Sequence, residues 1–99
     1  MNNNYIDKHI LEFNETLSIE TIIKIINYFI DNNYKISKCD IDYNVNNNGH
    51  HVHTIYLESY YEKIIMLDIY RISFKNFDKN EVFKEYDNVL KIIMEMGKE

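Results

Sequence analysis

The middle of the chain alternates between apolar and polar residues on both sides of Asn47-Asn48-Gly49. Alternation with a period of two is typical of half-buried β-strands, and an Asn- and Gly-containing loop between two such runs indicates a β-hairpin. No other feature constrains the fold as strongly, because a one-residue change of register would move every side chain to the opposite face of the sheet.

Burial selects the register of this hairpin. A two-residue Asn-Gly turn would pair Val45 with Val52 and would place aspartates on the same face as Ile55 and Leu57. A three-residue loop with Gly49 in the left-handed conformation gives a single apolar face, so we predict that loop. It pairs Val45 with His51, Tyr43 with His53, Ile41 with Ile55, and Cys39 with Leu57.

The opposite face of the predicted hairpin is largely polar. It carries Asp40, Asp42, Asn44, Val52, Thr54, Tyr56 and Glu58. After a turn at Ser59–Glu62, the segment Lys63–Phe74 has apolar residues in both phases of the alternation. This pattern predicts a third strand that is either covered on both faces or partly bare until a partner binds.

The first predicted helix precedes the hairpin. Ser18 is a favourable N-cap residue, and Asn32-Asn33 is a natural end because Asn tolerates the left-handed conformation. Apolar residues recur between these positions at helical spacing. The stripe predicted to be buried consists of Ile19, Ile22, Ile23, Ile26, Phe29 and Ile30.

The second predicted helix follows the strands. Asp78 and Glu81 have the spacing of a capping box, Phe77 and Val82 occupy the hydrophobic-staple positions, and Gly97 is placed to end the helix. The stripe predicted to be buried consists of Val82, Phe83, Tyr86, Val89, Leu90, Ile93 and Met96.

These elements predict an α+β fold in one domain, residues 1–99. The order is helix, three-stranded antiparallel meander, helix, with both helices on one face of the sheet. A chain of 99 residues supplies one hydrophobic core. Residues 6–13 fit a short strand or a helical turn equally well, so an extra N-terminal strand stays open. Residues 1–5 carry no element and are expected to be loosely held.

The location of the protein follows from what the chain lacks. Its apolar stretches are too short to cross a bilayer, and its Asn-rich start has no signal-peptide pattern. Cys39 is the one cysteine, so an internal disulfide is ruled out. We therefore expect a cytoplasmic protein, in a bacterial host cell, that contacts no membrane.

No pattern in the chain specifies a reaction, a metal or a cofactor. His51 and His53 alternate to one face while His50 falls in the turn, and Cys39 is about 20 Å further along its strand, at 3.3 Å per residue. Gly49 and Gly97 are the only glycines, so a glycine-rich phosphate loop is absent. We expect no catalytic residues, no metal site and no cofactor.

Nucleic-acid binding is also disfavoured. The order of helix, three strands and helix is that of the double-stranded-RNA-binding domain, which binds phosphates with lysines at the start of its last helix. Here that start reads Asp78-Lys79-Asn80-Glu81 in a chain of net charge −5. Because this charge repels phosphate, we expect no direct contact with nucleic acid.

The remaining candidate is a protein-binding surface on the outer face of the meander and its turn. Carboxylates mixed with aromatic residues are able to anchor an interface there. The alternative interpretation is a solvated sheet face without a partner. The candidate residues are Asp40, Asp42, Tyr56, Glu58, Tyr60, Tyr61 and Glu62.

The region from Ser18 to Met96 resembles the small acidic phage-encoded anti-CRISPR proteins in element order. Its size, its acidity and its bias toward Asn, Ile, Lys and Tyr, which is typical of low-GC genomes, are shared as well. The resemblance implies an inhibitor that presents carboxylates to a basic groove of a host nuclease. The carboxylates open to this role are Asp40, Asp42, Glu58 and Glu62. Two alternatives remain: an immunity protein for a cognate toxin, or a self-associating protein such as a homodimer.

Overall fold

A computed structural model describes residues 8–44 and 50–97, and the side chains of residues 9–39 and 54–97. Two predictions fall outside this part: the loosely held residues 1–5 and the three-residue loop at the tip of the hairpin. The described elements are β1 (Lys8–Glu12), α1 (Ile19–Asp31), β2 (Tyr34–Asn44), β3 (His50–Ser59), β4 (Ile64–Leu67), β5 (Arg71–Lys75) and α2 (Lys79–Met96).

The strands form one antiparallel sheet in the order β1-β5-β4-β3-β2. The element order differs from the prediction, because β1 precedes α1 and the consecutive strands β2 to β5 form a meander of four strands instead of three. The α+β class is confirmed, as is the placement of the two helices on one face. That inner face is buried by residues of α1 and α2 together with Phe77. Its fully buried members are Leu57, Ile65, Leu67, Ile72 and Phe74. Each such side chain contributes about 1.5–3 kcal/mol to stability by leaving water.

The open question at the N-terminus is answered by β1. Lys8–Glu12 is a strand that pairs with β5, so that Leu11 lies opposite Ile72 and Ile10 lies opposite Ser73. The chain then crosses the inner face through α1 and returns at the other edge of the sheet as β2. The sheet therefore has five strands rather than three or four.

The prediction of one long strand at 63–74 is wrong. A turn divides it into β4 and β5, which pair with each other. Asp68 Oδ1 accepts hydrogen bonds from the backbone N–H groups of Tyr70 at 2.7 Å and Arg71 at 2.8 Å. The turn also changes the phase of the alternation, so Leu67 and Ile72 are both buried on the inner face. Apolar residues in both phases thus reflect a reversal of the chain and not a doubly covered strand.

The predicted hairpin register is wrong by two residues. Tyr43 lies opposite His51 and Cys39 opposite Ile55, and the strands end at Asn44 and begin at His50. Odd-numbered residues still face odd-numbered residues around the tip, so the predicted sorting of this stretch into two faces is retained. The burial argument determines only which residues share a face, and registers that differ by two satisfy it equally.

The strand β2 begins five residues before Cys39 and contains an irregularity. Ile36 lies opposite Leu57 and Lys38 opposite Tyr56, which leaves Ser37 as an extra residue in the ladder. Such a β-bulge changes the phase of the alternation, so Ile36 and Cys39 are both on the inner face. The Ser37 hydroxyl group donates a hydrogen bond to the Tyr56 carbonyl oxygen at 3.4 Å.

Both predicted ends of α1 are confirmed, and its buried stripe is confirmed in part, because Ile22, Ile26 and Phe29 are buried as predicted. Ser18 Oγ accepts from the backbone N–H of Thr21 at 3.1 Å, and Asn33 has the left-handed φ of 72°. Ile25 is fully buried although it was not predicted to be. The exposed fractions of three residues predicted to be buried are 68% for Ile19, 50% for Ile23 and 42% for Ile30.

The start and end of α2 are confirmed. Asp78 and Glu81 form the predicted capping box, and the staple residues Phe77 and Val82 are both buried. Gly97 caps the C-terminal end with a right-handed φ of −70°. The prediction that Phe83 is buried is wrong, because Phe83 is exposed while its neighbour Val82 packs into the core.

Candidate functional site

The predicted surface residues of the hairpin strands β2 and β3 share one phase of the alternation, that of the outer face, the side of the sheet away from the helices. Tyr56 and Glu58 alternate there on β3 and are partly buried. The backbone register places Asp40 opposite Thr54 and Asp42 opposite Val52, in the same phase as Tyr56. The side chains of both aspartates lie outside the described residues, so their part in the surface stays a prediction.

The other three predicted residues lie in the turn between β3 and β4. Ser59 Oγ accepts hydrogen bonds from the backbone N–H groups of Tyr61 and Lys63, both at 3.2 Å. Glu62 has a left-handed φ of 64°, and its N–H donates to the Ser59 carbonyl oxygen at 3.1 Å. The backbone of this tight turn is therefore held by its own residues.

This turn exposes two aromatic side chains next to each other. The exposed fraction is 90% for Tyr60 and 79% for Tyr61, and their ring centroids are 5.4 Å apart in an edge-to-face arrangement. Neither ring contributes appreciably to the core. The turn can therefore offer a large amphipathic contact area at the end of the sheet.

A row of five residues crosses the outer face from one edge of the sheet to the other. The backbone pairing aligns them strand by strand, and three of the five are large and apolar or aromatic. We call this set the outer row: Ile10, Ser73, Met66, Tyr56 and Lys38. Ile10 is 50% exposed, and Lys38 Nζ lies 5.4 Å from the centroid of the Tyr56 ring.

Charged residues of both signs surround the outer row. The basic residues with described side chains on this face are Lys35, Lys38, Arg71 and Lys75, and the acidic ones are Glu12 and Glu58. Lys35 lies opposite Glu58, and Glu12 lies opposite Arg71. The described part of the outer face is therefore mixed in charge, with an apolar centre.

Sequence reasoning did not find Ile10 or Met66 as surface candidates. Ile10 was hidden because nothing in the sequence shows that β1 pairs with β5 rather than with another strand. Met66 lies in a segment with apolar residues in both phases of the alternation, so the sequence pattern does not show which face it is on. A sequence signal for Met66 does exist. If the strand is taken to end at Asp68, the alternation within Lys63–Leu67 places Met66 on the face opposite to Ile65 and Leu67.

The described residues offer little for catalysis or metal binding. Among them, no group of three or more His, Cys, Asp and Glu side chains comes close enough to hold a metal ion. The side chains of His50, His51 and His53 lie outside this part, so the expected absence of a metal site stays a prediction. The Nε2 atom of His9 is buried without a hydrogen-bond partner among the described residues.

One cleft lies away from the outer face. It has a volume of about 620 Å³ and separates the β1–α1 connection from the C-terminal half of α2. Its lining combines apolar residues such as Phe13 and Leu90 with the exposed carboxylates Glu15 and Glu20.

Comparison with protein-family models, with curated proteins and with solved structures finds no match for this chain in any of the three. Within the described residues, no helix is both long enough and apolar enough to span a bilayer.

Proposed function

We propose that this chain is a non-enzymatic inhibitor that binds a protein partner through the outer row and the Tyr60–Tyr61 turn. The observation that carries the proposal is that both helices cover the inner face of the sheet and leave the outer face without a covering layer among the described residues. A large exposed patch with an apolar centre and a charged rim is the usual composition of a protein-binding site.

The turn supports the proposal by a separate route. Tyr60 and Tyr61 are the most exposed of the large hydrophobic residues described. Aromatic residues that folding leaves in solvent are frequent anchors of interfaces, because they bury a large area with few rotatable bonds. The Ser59 side-chain oxygen accepts hydrogen bonds from the backbone N–H groups of Tyr61 and Lys63 and so holds the loop in one conformation, which reduces the entropy lost on binding.

The charges of the outer face indicate the kind of partner. Lys35, Lys38, Arg71 and Lys75 offset the carboxylates there, so the matching surface carries both signs around an apolar centre. Such a surface belongs to a folded protein rather than to a nucleic-acid duplex, whose charge is uniformly negative. The resemblance to phage-encoded inhibitors makes a host defence nuclease the first partner to test, and a toxin of the same cell the second.

The experiment starts with affinity purification from cells of the source, followed by titration of the purified partner. Tyr61→Ala and Tyr56→Ala are expected to weaken binding by about 1–3 kcal/mol each, mainly through faster dissociation. Tyr70→Ala is the matched control, because Tyr70 lies in the β4–β5 turn, away from both features. Inhibition of the partner should fall in parallel with binding.

A second variant pair tests the charges. Glu58→Lys is expected to slow association and to change its salt dependence, whereas Glu95→Lys on α2 should leave both unchanged. Because Tyr61 and Glu95 are exposed, their variants should unfold within about 0.5 kcal/mol of the unmodified chain. If the Tyr56, Tyr61 and Glu58 variants fold and bind the partner at full strength, this surface is not the binding site.

A further inference from the structure

We propose that the protein forms a symmetric dimer in which the edge strand β2 pairs, antiparallel, with β2 of a second copy about a two-fold axis at Cys39. This inference does not depend on the partner-binding surface proposed above. It rests on the position of β2 in the sheet, on the order of charges along β2 and on the bulge at Ser37.

The strand β2 is long and lies at an edge of the sheet. It has 11 residues, and in the described residues β3 is its one neighbour. An edge strand of this kind presents a row of backbone N–H and C=O groups to a further strand. Ile36, in the first half of β2, is 51% exposed, which leaves apolar area for an added strand to cover.

The charges along β2 change sign at Cys39. Lys35 and Lys38 precede it, and Asp40 and Asp42 follow it. In an antiparallel pair with its axis at Cys39, the first half of one strand meets the second half of the other. Position 38 of one copy, a lysine, then lies opposite position 40 of the second copy, an aspartate.

The bulge brings the remaining charges into register. Without it, Lys35 would lie opposite position 43 of the second copy, a tyrosine. Ser37 is an extra residue of β2 in its ladder with β3, which turns Lys35 to the outer face and Ile36 to the inner face. A second copy that keeps like faces together has to skip Ser37 as well. Lys35 then lies opposite position 42, an aspartate, and Ile36 opposite position 41, an isoleucine. Lys35 and Lys38 of each β2 strand thus lie opposite aspartate positions of the other copy.

The faces of the two sheets agree in this arrangement. Residues 38 and 40 share the outer phase of β2, and residues 36 and 41 share the inner phase. Directly opposite residues of an antiparallel pair point to the same face, so the pairing joins the two sheets into one continuous sheet of ten strands. The helices of both copies lie on the same side of it.

The charge order also limits pairing to one register. Charged residues and bulges at sheet edges normally prevent indiscriminate pairing. A parallel arrangement of two β2 strands in register would place lysine opposite lysine and aspartate opposite aspartate. The net charge of −5 per chain opposes association at long range, but salt screens it beyond about 8 Å at physiological ionic strength. The edge therefore favours one dimer over open-ended aggregation.

A charge exchange tests the dimer. Lys35→Asp with Lys38→Asp gives an edge that is acidic throughout, and Asp40→Lys with Asp42→Lys gives one that is basic throughout. The unmodified chain is expected to dimerise with a dissociation constant of about 1–100 µM, as suits a small interface. Each double variant alone should dimerise at least about tenfold more weakly, and an equal mixture of the two should dimerise again. Sedimentation velocity across the micromolar range measures all four samples.

The control is Lys84→Asp with Lys91→Asp, which changes the same charge on exposed positions of α2 and should leave the dimer intact. Oxidation of Cys39 gives a second readout, because the axis places two Cys39 Cα atoms about 4.5–5.5 Å apart, within disulfide range. A Cys39→Ser, Lys84→Cys chain should crosslink far more slowly. The proposal is overturned by a monomer at every concentration, by a mixture that fails to associate, or by equal crosslinking rates.

Discussion

The hydroxyl group of Tyr28 on α1 donates a hydrogen bond to Glu85 Oε1 on α2 at 2.7 Å. Asn88 Nδ2 completes the cluster by donating to the Tyr28 hydroxyl oxygen at 2.8 Å and to Glu85 Oε1 at 3.2 Å. Burial raises the pKa of Tyr28 to about 12, assisted by the hydrogen bond and the charge of Glu85. The pKa of Tyr34 is also raised to about 12, first by burial and then by Glu85.

These raised pKa values predict a loss of stability at high pH. The folded protein retains protons that the unfolded chain releases near the ordinary tyrosine pKa of about 10. The stabilisation is complete below pH 10 and is lost as the pH rises from about 10 to about 12. Tyr28→Phe should lower stability at neutral pH by about 1–2 kcal/mol and make the alkaline loss less steep.

Thermal unfolding followed by circular dichroism at a series of pH values measures this effect. Tyr70→Phe is the control, because the Tyr70 ring is 38% exposed and its hydroxyl group takes part in no hydrogen bond shown for the described residues. Identical alkaline slopes for the Tyr28→Phe protein and the unmodified protein would contradict the assigned cause.

The turn at Asp68 predicts a difference between two similar substitutions. Asp68→Ala removes the acceptor of both the Tyr70 and the Arg71 N–H groups and should lower the free energy of unfolding by about 1–2 kcal/mol. Asp68→Asn keeps an acceptor oxygen at the same place and should lose less than half as much. Chemical denaturation separates the two, and an equal loss for both would show that the side-chain hydrogen bonds do not hold the turn.

The left-handed conformation of Glu62 predicts a stabilising substitution. A residue with a Cβ atom at a φ of 64° is strained by about 1 kcal/mol, whereas glycine is not. We expect Glu62→Gly to raise the free energy of unfolding by about 0.5 kcal/mol after the entropy cost of glycine. Tyr60→Gly in the same turn should lower it, since Tyr60 is not among the described residues with a positive φ. A fall in both would refute the strain argument.

Two phenylalanines near the start of α2 predict contrasting effects. Phe77 is 1% exposed and packs against Phe74 with ring centroids 5.1 Å apart, whereas Phe83 is 57% exposed. Phe77→Ala should therefore cost about 3–5 kcal/mol, and Phe83→Ala less than about 1 kcal/mol. Urea denaturation midpoints distinguish them. Similar losses would mean that Phe83 packs into the core after all.

Several features were readable from the sequence because they depend on neighbours along the chain. The two helix caps join residues three positions apart: Ser18 with Thr21, and Asp78 with Glu81. The left-handed conformation of Asn33 depends on that residue alone. Alternation likewise sorted the central hairpin into two faces. The exposed turn that carries Tyr60 and Tyr61 was predicted for the same reason, as it follows directly from the break in that alternation.

The tertiary structure alone decided which of the locally equivalent arrangements occurs. Alternation is unchanged by a shift of two residues, so the register that pairs Cys39 with Ile55 depends on how the whole sheet assembles. Isoleucines occupy more than one side of α1, so helical periodicity does not determine which side is buried. The position of the sheet determines that Ile25 is buried and Ile23 is exposed. The outer row exists because β1 joins β5, a pairing between residues about 60 positions apart that no local pattern encodes.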